Sequence, residues 1–294
     1  MKKYLIFDIG GTFVKWAIIN SNFEIIENSK WPFNGKIEGK EVLIKKISNK
    51  IEEIEKQIDI SAIGISTAGI VDPNTSEMAK ITHNIKNWGG TNIKKELSFF
   101  TKKPIFVEND ANAAIIGEST AKHLTNHKNI LMITLGTDVG GGIIIDNNIY
   151  RGTHGFAGEV GFQFIDGNKR WGETASTKGL IELIKERNNV EISTYDILNS
   201  QDEKIIKSLD IWYKKIANGL TNFIVSFNFD AIIIGGGISE SELFDLNKIT
   251  DHINGFLLII PEFKHSYKLY KASMGNNAAI IGMTKIINNS IDIK

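Results

Sequence analysis

Apolar stretches rich in isoleucine and valine alternate along the chain with segments whose apolar residues recur every three to four positions. This alternation predicts an α/β protein in which amphipathic helices separate buried strands. In the first part of the chain, strands are predicted at residues 4–9, 14–19, 62–66 and 105–107. A helix between the second and third strands is predicted from apolar residues at helical spacing, which are Leu43, Ile47, Ile51, Ile54 and Ile58.

The rest of the chain follows the same pattern. A helix is predicted at about residues 111–121, and a strand pair is predicted at 129–135 and 141–145. The sequence Asp146-Asn147-Asn148 predicts a hairpin turn. The longest predicted helix spans residues 203–227. Its buried stripe is predicted to contain Ile205, Leu209, Trp212, Ile216, Leu220, Phe223 and Phe227.

The length of the chain, 294 residues, is sufficient for two lobes that each bury a core. We expect a small N-terminal lobe of residues 1–115, which a C-terminal helix at 275–294 completes. We expect a large C-terminal lobe of residues 116–274. The cleft between the lobes is the expected active site.

The composition of the chain excludes several classes of binding partner and site. The 34 Lys and Arg residues balance 34 Asp and Glu residues, and no segment concentrates basic charge, so no nucleic-acid partner is expected. The absence of cysteine excludes disulfides and thiolate metal sites. The N-terminus lacks the apolar core of a signal peptide, and no apolar run reaches the length of a membrane span. We therefore predict a soluble, cytoplasmic protein without a membrane partner.

Two glycine turns have similar compositions. Residues 8–12, Asp-Ile-Gly-Gly-Thr, and residues 135–142, Leu-Gly-Thr-Asp-Val-Gly-Gly-Gly, each join two predicted strands. Glycine lets backbone N–H groups approach phosphate oxygens closely, and a threonine hydroxyl adds a donor. Either turn alone is also compatible with an ordinary Gly-rich hairpin. Together they predict a duplicated phosphate-binding unit with the candidate residues Gly10, Gly11, Thr12, Gly136 and Thr137.

Two charged residues near the first turn are candidates for the same chemistry. Asp8, at the exit of a buried strand, is placed to hold Mg²⁺ through water, which nucleotide phosphates require. Lys15 has two interpretations, a phosphate contact or an exposed charge on the hairpin. The predicted cofactors are ATP and Mg²⁺.

A polar sequence, Glu108-Asn109-Asp110-Ala111-Asn112, lies where a predicted strand ends and a helix of small residues begins. Asp110 is either the N-cap of this helix, a position that favours aspartate, or a catalytic base. As a base, it takes the proton from a hexose hydroxyl while a phosphoryl group is transferred. Asn109 then orients the sugar.

Later loops supply carboxylates and further glycines. Carboxylates make paired hydrogen bonds to vicinal diols, so Glu159 and Glu173 are candidate sugar ligands, although each is also compatible with a solvated loop acid. A predicted strand at 231–234 runs into Gly235, Gly236 and Gly237. These glycines allow a nucleotide base or ribose to approach the backbone closely.

These motifs, in this order, resemble the ROK family, whose name joins repressors, open reading frames and sugar kinases. The resemblance covers nearly the whole chain, from residues 8–12 through 108–112 and 135–137 to Gly275-Asn276-Asn277-Ala278-Ala279. It implies the duplicated actin-like ATPase fold of the ribonuclease H-like class and a homodimer. It also implies that Asp110 is the base, that the glycine turns bind the ATP phosphates, and that the sugar ligands are Asn109, Glu159 and Glu173. We include Gly69 among the predicted sugar contacts.

The chain departs from typical family members at the zinc loop. Those members carry a cysteine-rich loop before the last sugar-binding glutamate, whereas residues 163–172 contain no cysteine. Phe162 replaces a histidine that ligates zinc and contacts the sugar in most members. We therefore expect no structural zinc, as in the zinc-less subgroup that includes β-glucoside kinases and some N-acetylmannosamine kinases. His123 and His127, one helical turn apart, lack a third ligand in the sequence.

The resemblance predicts a sugar kinase that transfers the γ-phosphate of ATP to the 6-hydroxyl of a hexose or N-acetylhexosamine. N-acetylmannosamine and glucose are the leading substrates, and a β-glucoside is the alternative.

In residues 83–92, which match the sugar-lining segment, Trp88 either stacks on a pyranose or packs in the loop. The alternative from another class is a non-catalytic, sugar-sensing regulator. Repressors of the family carry a helix-turn-helix domain before the first glycine turn, whereas seven residues precede Asp8, so a repressor is not expected.

Overall fold

The fold is given by a computed structural model that describes residues 1–80 and 84–291. His83, in the predicted sugar-lining segment, and residues 292–294, at the end of the predicted C-terminal helix, lie outside the described residues. The chain divides into two compact units. Unit 1 comprises Met1–Thr120, Arg151–Phe156 and Asn276–Lys294, and unit 2 comprises Ala121–Tyr150 and Ala157–Gly275.

Strands and helices alternate through the described residues. The strands are β1 (Lys3–Ile9), β2 (Phe13–Asn20), β3 (Ile25–Pro32), β4 (Ala62–Thr67), β5 (Ile105–Asn109), β6 (Ile130–Leu135), β7 (Val139–Ile145), β8 (Asn148–Ile149), β9 (Phe164–Asp166), β10 (Lys169–Arg170), β11 (Ala231–Gly235) and β12 (Lys268–Lys271). The helices are α1 (Gly35–Glu55), α2 (Ile93–Leu97), α3 (Asp110–Glu118), α4 (Trp171–Ala175), α5 (Thr177–Asn188), α6 (Thr194–Leu198), α7 (Glu203–Phe227), α8 (Leu246–Phe256) and α9 (Ala278–Ile291).

Unit 1 is built on a five-stranded sheet with the order β3-β2-β1-β4-β5. β1, β2 and β3 pair antiparallel, whereas β4 and β5 run parallel to β1. Side chains of β1 alternate between the two faces of the sheet. Leu5 and Phe7 pack in the same core as α1, and Tyr4 and Ile6 pack in the core that contains α9. Helices therefore cover both faces.

Unit 2 repeats this arrangement. Its sheet has the order β12-β11-β6-β7-β8, with β6, β7 and β8 antiparallel and β11 and β12 parallel to β6. The same strand order and directions thus occur twice in the chain, which confirms the predicted duplicated α/β fold. In each unit, one of the two glycine turns joins the central strand to its antiparallel neighbour.

The first predicted helix is confirmed, with a correction at its end. Leu43, Ile47, Ile51 and Ile54 are buried on one stripe of α1. Ile58 is not part of the helix, which ends at Glu55, although its N–H still donates to the carbonyl oxygen of Ile54 at 2.8 Å. It packs, partly buried, against the same core.

The longest predicted helix has the predicted bounds, and most of its apolar stripe is buried. Trp212, Ile216 and Leu220 are fully buried in the core of unit 2. The prediction for Phe227 is wrong, because this residue ends α7 and remains 46% exposed. Its ring stacks on that of Phe229, which follows the helix.

The predicted hairpin turn after β7 is confirmed. Asp146 and Asn147 have φ angles of 49° and 66°, the left-handed conformation that two-residue hairpin turns require. Asn148 already belongs to β8. No helix within the described ranges combines the length and apolarity needed to cross a membrane.

Helices α3 and α9 pack with their backbones in close contact. A Cβ atom at Gly117 would lie 2.0 Å from the carbonyl oxygen of Ala278, and one at Gly282 would lie 1.8 Å from that of Ala113. Glycine at these two positions is therefore required for the contact. Because α3 begins at Asp110, this packing fixes the helix that carries the candidate base.

We expect Gly282→Ala to destabilise the protein by roughly 1–3 kcal/mol, because an added methyl group forces the two backbones apart. Gly255→Ala on α8 is the matched control, since a Cβ atom there meets no atom within 4 Å. Alanine in this helix should be neutral or stabilising by roughly 0.5–1 kcal/mol. Denaturant titration followed by circular dichroism measures both variants, and equal stabilities would contradict the close packing.

Candidate active site

A row of polar side chains crosses three adjacent parallel strands of unit 1. Asp8 of β1 is in register with Ser66 of β4, which is in register with Glu108 of β5. Residues in register on parallel strands point to the same face of a sheet. The buried Ser66 hydroxyl donates to Oδ1 of Asp8 at 2.9 Å. The Asp8 carboxylate is thus oriented by its neighbour and remains 15% exposed.

Lys15 pairs with Asp8. Its Nζ lies 3.4 Å from Oδ2 of Asp8 and donates to Oδ1 of Asn276, just before α9, at 2.9 Å. Lys15 is thus paired, and its side chain is 31% exposed, whereas the alternative interpretation is an exposed charge on the hairpin. A contact between Lys15 and phosphate stays a prediction.

The first glycine turn leaves two backbone donors available. Gly10 closes the turn by donating across the hairpin, and the carbonyl oxygens of Gly11 and Thr12 accept from Gly35 and Phe33 at 3.0 and 2.9 Å. Within the described ranges, no protein group accepts from the N–H groups of Gly11 and Thr12. These two donors lie next to each other at the surface, where an anion can reach them.

Asn109, not Asp110, caps helix α3. Oδ1 of Asn109 accepts from the N–H of Asn112 at 3.0 Å, and Asp110 is the first residue of the helix. The N-cap interpretation of Asp110 is therefore wrong. Nδ2 of Asn109 donates to the carbonyl oxygen of Gly69 at 3.0 Å and to Oδ1 of Asp110 at 3.1 Å. The N–H of Ala111 also donates to Oδ1 of Asp110, at 2.9 Å, so this carboxylate is held in one orientation.

Trp88 is part of the core. Its side chain is completely buried, and its indole N–H donates to Oγ1 of Thr67 at 3.1 Å. The stacking interpretation is wrong, because no ring face is accessible to a sugar. Gly69, two residues after Thr67, has a φ of 102°, which places its carbonyl oxygen where Asn109 binds it.

The second glycine turn exposes Gly136 and Thr137 at the surface of unit 2. The N–H of Gly136 donates to the carbonyl oxygen of Asp138 at 3.0 Å. The Asp138 carboxylate accepts from the N–H of Val139 at 2.8 Å. A Cβ atom at Gly172 would lie 1.5 Å from the same carboxylate oxygen, so the acid packs directly against this glycine.

A pocket of about 1020 Å³ lies in unit 2 beside this turn. The turn residues Gly136 and Thr137 line it together with Gly237, residues of α5 and residues 191–194. Ile181 and Ile192 give it an apolar wall, and charged and hydroxyl side chains complete the lining. The pocket is large enough for a nucleoside.

The members of the glycine triplet have different surroundings. Gly235 is buried in β11, and Gly236, with a φ of 96°, packs against the backbone of Leu135, whose carbonyl oxygen would lie 2.3 Å from an added Cβ. Gly237 lines the pocket. A nucleotide contact of any of the three stays a prediction.

Glu159 is half-buried in unit 2, which is less exposed than the alternative interpretation of a solvated loop acid implies. Burial raises the pKa of Glu159 above its usual value, and the negative charge of Asp138 raises this pKa further. A carboxylate in such surroundings gains more from hydrogen bonds to a ligand than a solvated one does. Perturbed groups of this kind are concentrated at functional sites.

Glu173 lies in a different environment, with its side chain 49% exposed. Its Oε2 accepts from the N–H of Arg170 at 2.7 Å, in a capping box at the start of α4. This backbone hydrogen bond lowers the pKa of Glu173, and the charge of Arg170 lowers it further. In the part of the chain that the structure describes, Oε1 of Glu173 has no protein hydrogen-bond partner. The Arg170 guanidinium lies 5.2 Å from the centre of the Phe162 ring.

The residues present do not fit a structural zinc ion. The chain contains no cysteine, and Phe162 offers no ligating atom. His123 and His127 both contact the ring of Tyr270, with centroids 5.2 and 5.6 Å apart. Among the side chains that the structure describes, no three His, Asp or Glu residues form a group that could hold a metal. The absence of zinc stays a prediction, which metal analysis of the purified protein tests.

Sequence interpretation missed the residues that orient these candidates. Ser66 lies at the end of a predicted strand, where a polar residue in an apolar run is a signal for a site. Asp138 and Arg170 carry no such signal, because their contacts depend on loops that have no periodic pattern. Arg151, which contacts Glu108, is likewise separated from its partner by a long stretch of chain.

Known proteins similar to this chain include both kinases and repressors. A glucokinase of Halalkalibacterium halodurans is 27% identical over 312 residues, covering 95% of this chain and 93% of that protein. The xylose repressor of Bacillus spizizenii is 32% identical over 260 residues, covering 84% of this chain and 66% of the repressor. The chain thus spans about two thirds of the length of this repressor.

The fold is shared with a solved structure, a ROK family glucokinase from Streptomyces griseus in complex with glucose and AMPPNP. The TM-score is 0.77 at 26% identity, covering 97% of this chain and 98% of that chain. With its two sheets of equal topology, the protein has the actin-like ATPase fold. The model of the ROK family matches residues 4–290, and the chain belongs to this family.

We expect the ionisation of Glu159 to lower the free energy of unfolding as the pH rises. A carboxyl group whose pKa is higher in the folded than in the unfolded state binds more protons when folded, so its ionisation costs stability above the unfolded pKa. Glu159→Gln should therefore melt at or above the wild-type temperature at pH 8, and this advantage should shrink at pH 4.

Calorimetry at the two pH values measures this difference. Glu242→Gln, at an exposed position of unit 2, is the control. Its melting temperature should equal that of the wild type at both pH values. A Glu159→Gln protein that is clearly less stable than wild type at pH 8 would contradict the assigned environment of the carboxylate.

Proposed function

We propose that this protein is an ATP-dependent sugar kinase that transfers the γ-phosphate of ATP to the 6-hydroxyl of a hexose or N-acetylhexosamine. The observation that carries the proposal is the hydrogen bonding at the start of α3. Asn109 is the N-cap, and Asp110, the first residue of α3, has a carboxylate that Asn109 and Ala111 orient. Membership of the ROK family and similarity to a glucokinase support the same activity.

Asp110 is the proposed general base. Two hydrogen bonds, from Asn109 and Ala111, fix Oδ1 of its carboxylate. An oriented carboxylate takes the proton of a sugar hydroxyl as the oxygen attacks phosphorus, and general base catalysis of this kind contributes roughly 10²–10⁴-fold. Orientation matters as much as basicity, because the hydroxyl is a weak nucleophile unless it is held in line with the phosphoryl group.

The two glycine turns are the proposed phosphate ligands. The N–H groups of Gly11 and Thr12, for which no described protein group is an acceptor, and the exposed Thr137 of the second turn offer donors that need no rearrangement to bind an anion. The pocket beside the second turn accommodates the adenosine. Asp8 fits the role of Mg²⁺ ligand, because it presents carboxylate oxygens that Ser66 holds in place. Bound Mg²⁺ would offset the negative charge of the phosphates.

The proposed sugar ligands are Asn109, Gly69, Glu159 and Glu173. Oε1 of Glu173 and the half-buried Glu159 carboxylate are acceptors for sugar hydroxyls. Phe162 cannot donate a hydrogen bond to the sugar hydroxyl that a histidine contacts in most family members. Either another residue binds this hydroxyl, or the substrate carries an apolar or acyl group in its place. We propose N-acetylmannosamine and glucose as leading substrates, with β-glucosides as the alternative. A homodimer in the cytoplasm is part of the same proposal.

A second candidate function is sugar sensing without catalysis. Similarity to the xylose repressor favours it, since that protein shares 32% identity with the chain. Turnover separates the two functions, because a sensor binds sugar but does not cleave ATP.

We expect Asp110→Asn to lower kcat by about 10²–10⁴-fold, because an amide cannot accept the proton. Affinities for ATP and sugar should change little, since the amide retains the shape of the carboxylate. Steady-state kinetics with the best hexose substrate, together with calorimetric binding, measures both effects. Asp251→Asn, at an exposed position of α8, is the control. Near-normal turnover of Asp110→Asn would remove Asp110 as the base.

A further inference from the structure

Glu108 is a buried carboxylate two residues before the candidate base, with 4% of its surface exposed. Its two oxygens have separate partners. Oε1 accepts from the N–H of Asn109 at 3.0 Å and from Nδ2 of Asn112 at 3.1 Å. Oε2 faces Arg151, with Nε at 2.7 Å and Nη2 at 2.6 Å. Arg151 supplies the positive charge in this set of contacts.

The partners of Oε1 are the residues that hold Asp110. Asn109 and Asn112 bond to each other at the cap of α3, and Asn109 also donates to the Asp110 carboxylate. A continuous series of hydrogen bonds therefore runs from Arg151 through Glu108 and Asn109 to the candidate base. Asn112 is 3% exposed, so water does not readily replace its bond to Glu108.

Arg151 is itself held in place by its own segment. Residues 151–156 belong to unit 1, although the chain before and after them belongs to unit 2. Gly155, with a φ of 82°, packs so closely on Val71 that an added Cβ would lie 2.2 Å from its carbonyl oxygen. His154 adds a contact to Asp72, with Nδ1 3.7 Å from Oδ2. The segment is thus anchored independently of the ion pair.

An ionised carboxylate as buried as Glu108 is stable only when it is paired and hydrogen-bonded. Without Arg151, the buried Glu108 carboxylate loses its charged partner, and any movement of the carboxylate towards another partner disturbs the bonds of Oε1. We propose that Arg151 is a positioning residue of the transfer reaction, which acts through Glu108 to hold Asn109 and Asp110 in their productive orientation. This inference rests on the proposed kinase function.

The first test is the kinetics of Arg151→Met and Arg151→Lys. We expect Arg151→Met to lower kcat by about 10²-fold, since small displacements of a catalytic group have effects of that size, with KM for ATP nearly unchanged. Arg151→Lys should recover part of the loss, because lysine restores the charge without the two-donor fork. Lys40→Met is the control. Its side chain is 28% exposed, against 29% for Arg151, and pairs with Glu96 at 3.2 Å in the same unit.

A double-mutant cycle with Glu108→Gln tests the route of the effect. If Arg151 acts through Glu108, Arg151→Met should add little to the loss that Glu108→Gln causes alone. The double variant removes both charges, so neither is left buried and unpaired. If Arg151→Met does not fold, the double variant and Arg151→Lys still test the inference. If the kcat decreases of the two single variants multiply in the double variant, the two residues act independently and the inference is overturned.

The controls distinguish this inference from the proposed function. Wild-type turnover together with an Arg151→Met kcat within about 3-fold of wild type would overturn the positioning role alone. A folded wild-type protein without sugar-dependent ATP cleavage would overturn the kinase function and this inference with it.

Discussion

The register of three parallel strands is the constraint on which the candidate chemistry of unit 1 depends. It brings Asp8, Ser66 and Glu108 into one row and places Asn109 at the edge of the sheet, beside the start of α3. Carboxylates with so little exposed surface need compensating partners. Ser66 and Lys15 supply them for Asp8, and Arg151 supplies one for Glu108. Asp110 is then oriented by backbone and amide donors, as its proposed role of general base requires.

The duplicated sheet divides the proposed tasks between its two copies. Unit 1 carries the candidate base and metal ligand, whereas unit 2 carries the pocket and the half-buried Glu159. Both use the same device, a glycine turn between the central strand and its antiparallel neighbour. Burial of Glu159 near Asp138 costs stability, and a ligand that donates hydrogen bonds would offset this cost. Unit 2 therefore has a partly desolvated acid among the residues that the proposal assigns to sugar binding.

Local rules explain what the sequence could predict. The bounds of α7 and the Asp146–Asn147 turn follow from periodicity and from residues that tolerate left-handed φ. The apolar pattern continues to Ile58, which lies beyond the end of α1, and to Phe227, which lies at the exposed end of α7. The remaining assignments depend on tertiary contacts. Aspartate and asparagine are nearly equivalent as caps, so only the neighbouring bonds assign Asn109 to the cap. Trp88 and Arg151 depend on partners that no local pattern identifies.

ADP release by the wild-type protein tests the central claim most directly. The assay supplies Mg-ATP and, in turn, glucose, mannose, N-acetylglucosamine, N-acetylmannosamine, fructose and a β-glucoside disaccharide, with phosphorus NMR to detect the sugar phosphate. The account predicts that at least one sugar releases ADP and yields an equal amount of its phosphate ester. A folded protein that binds ATP and a sugar but releases no ADP above the sugar-free rate would contradict the account and favour the sensing function.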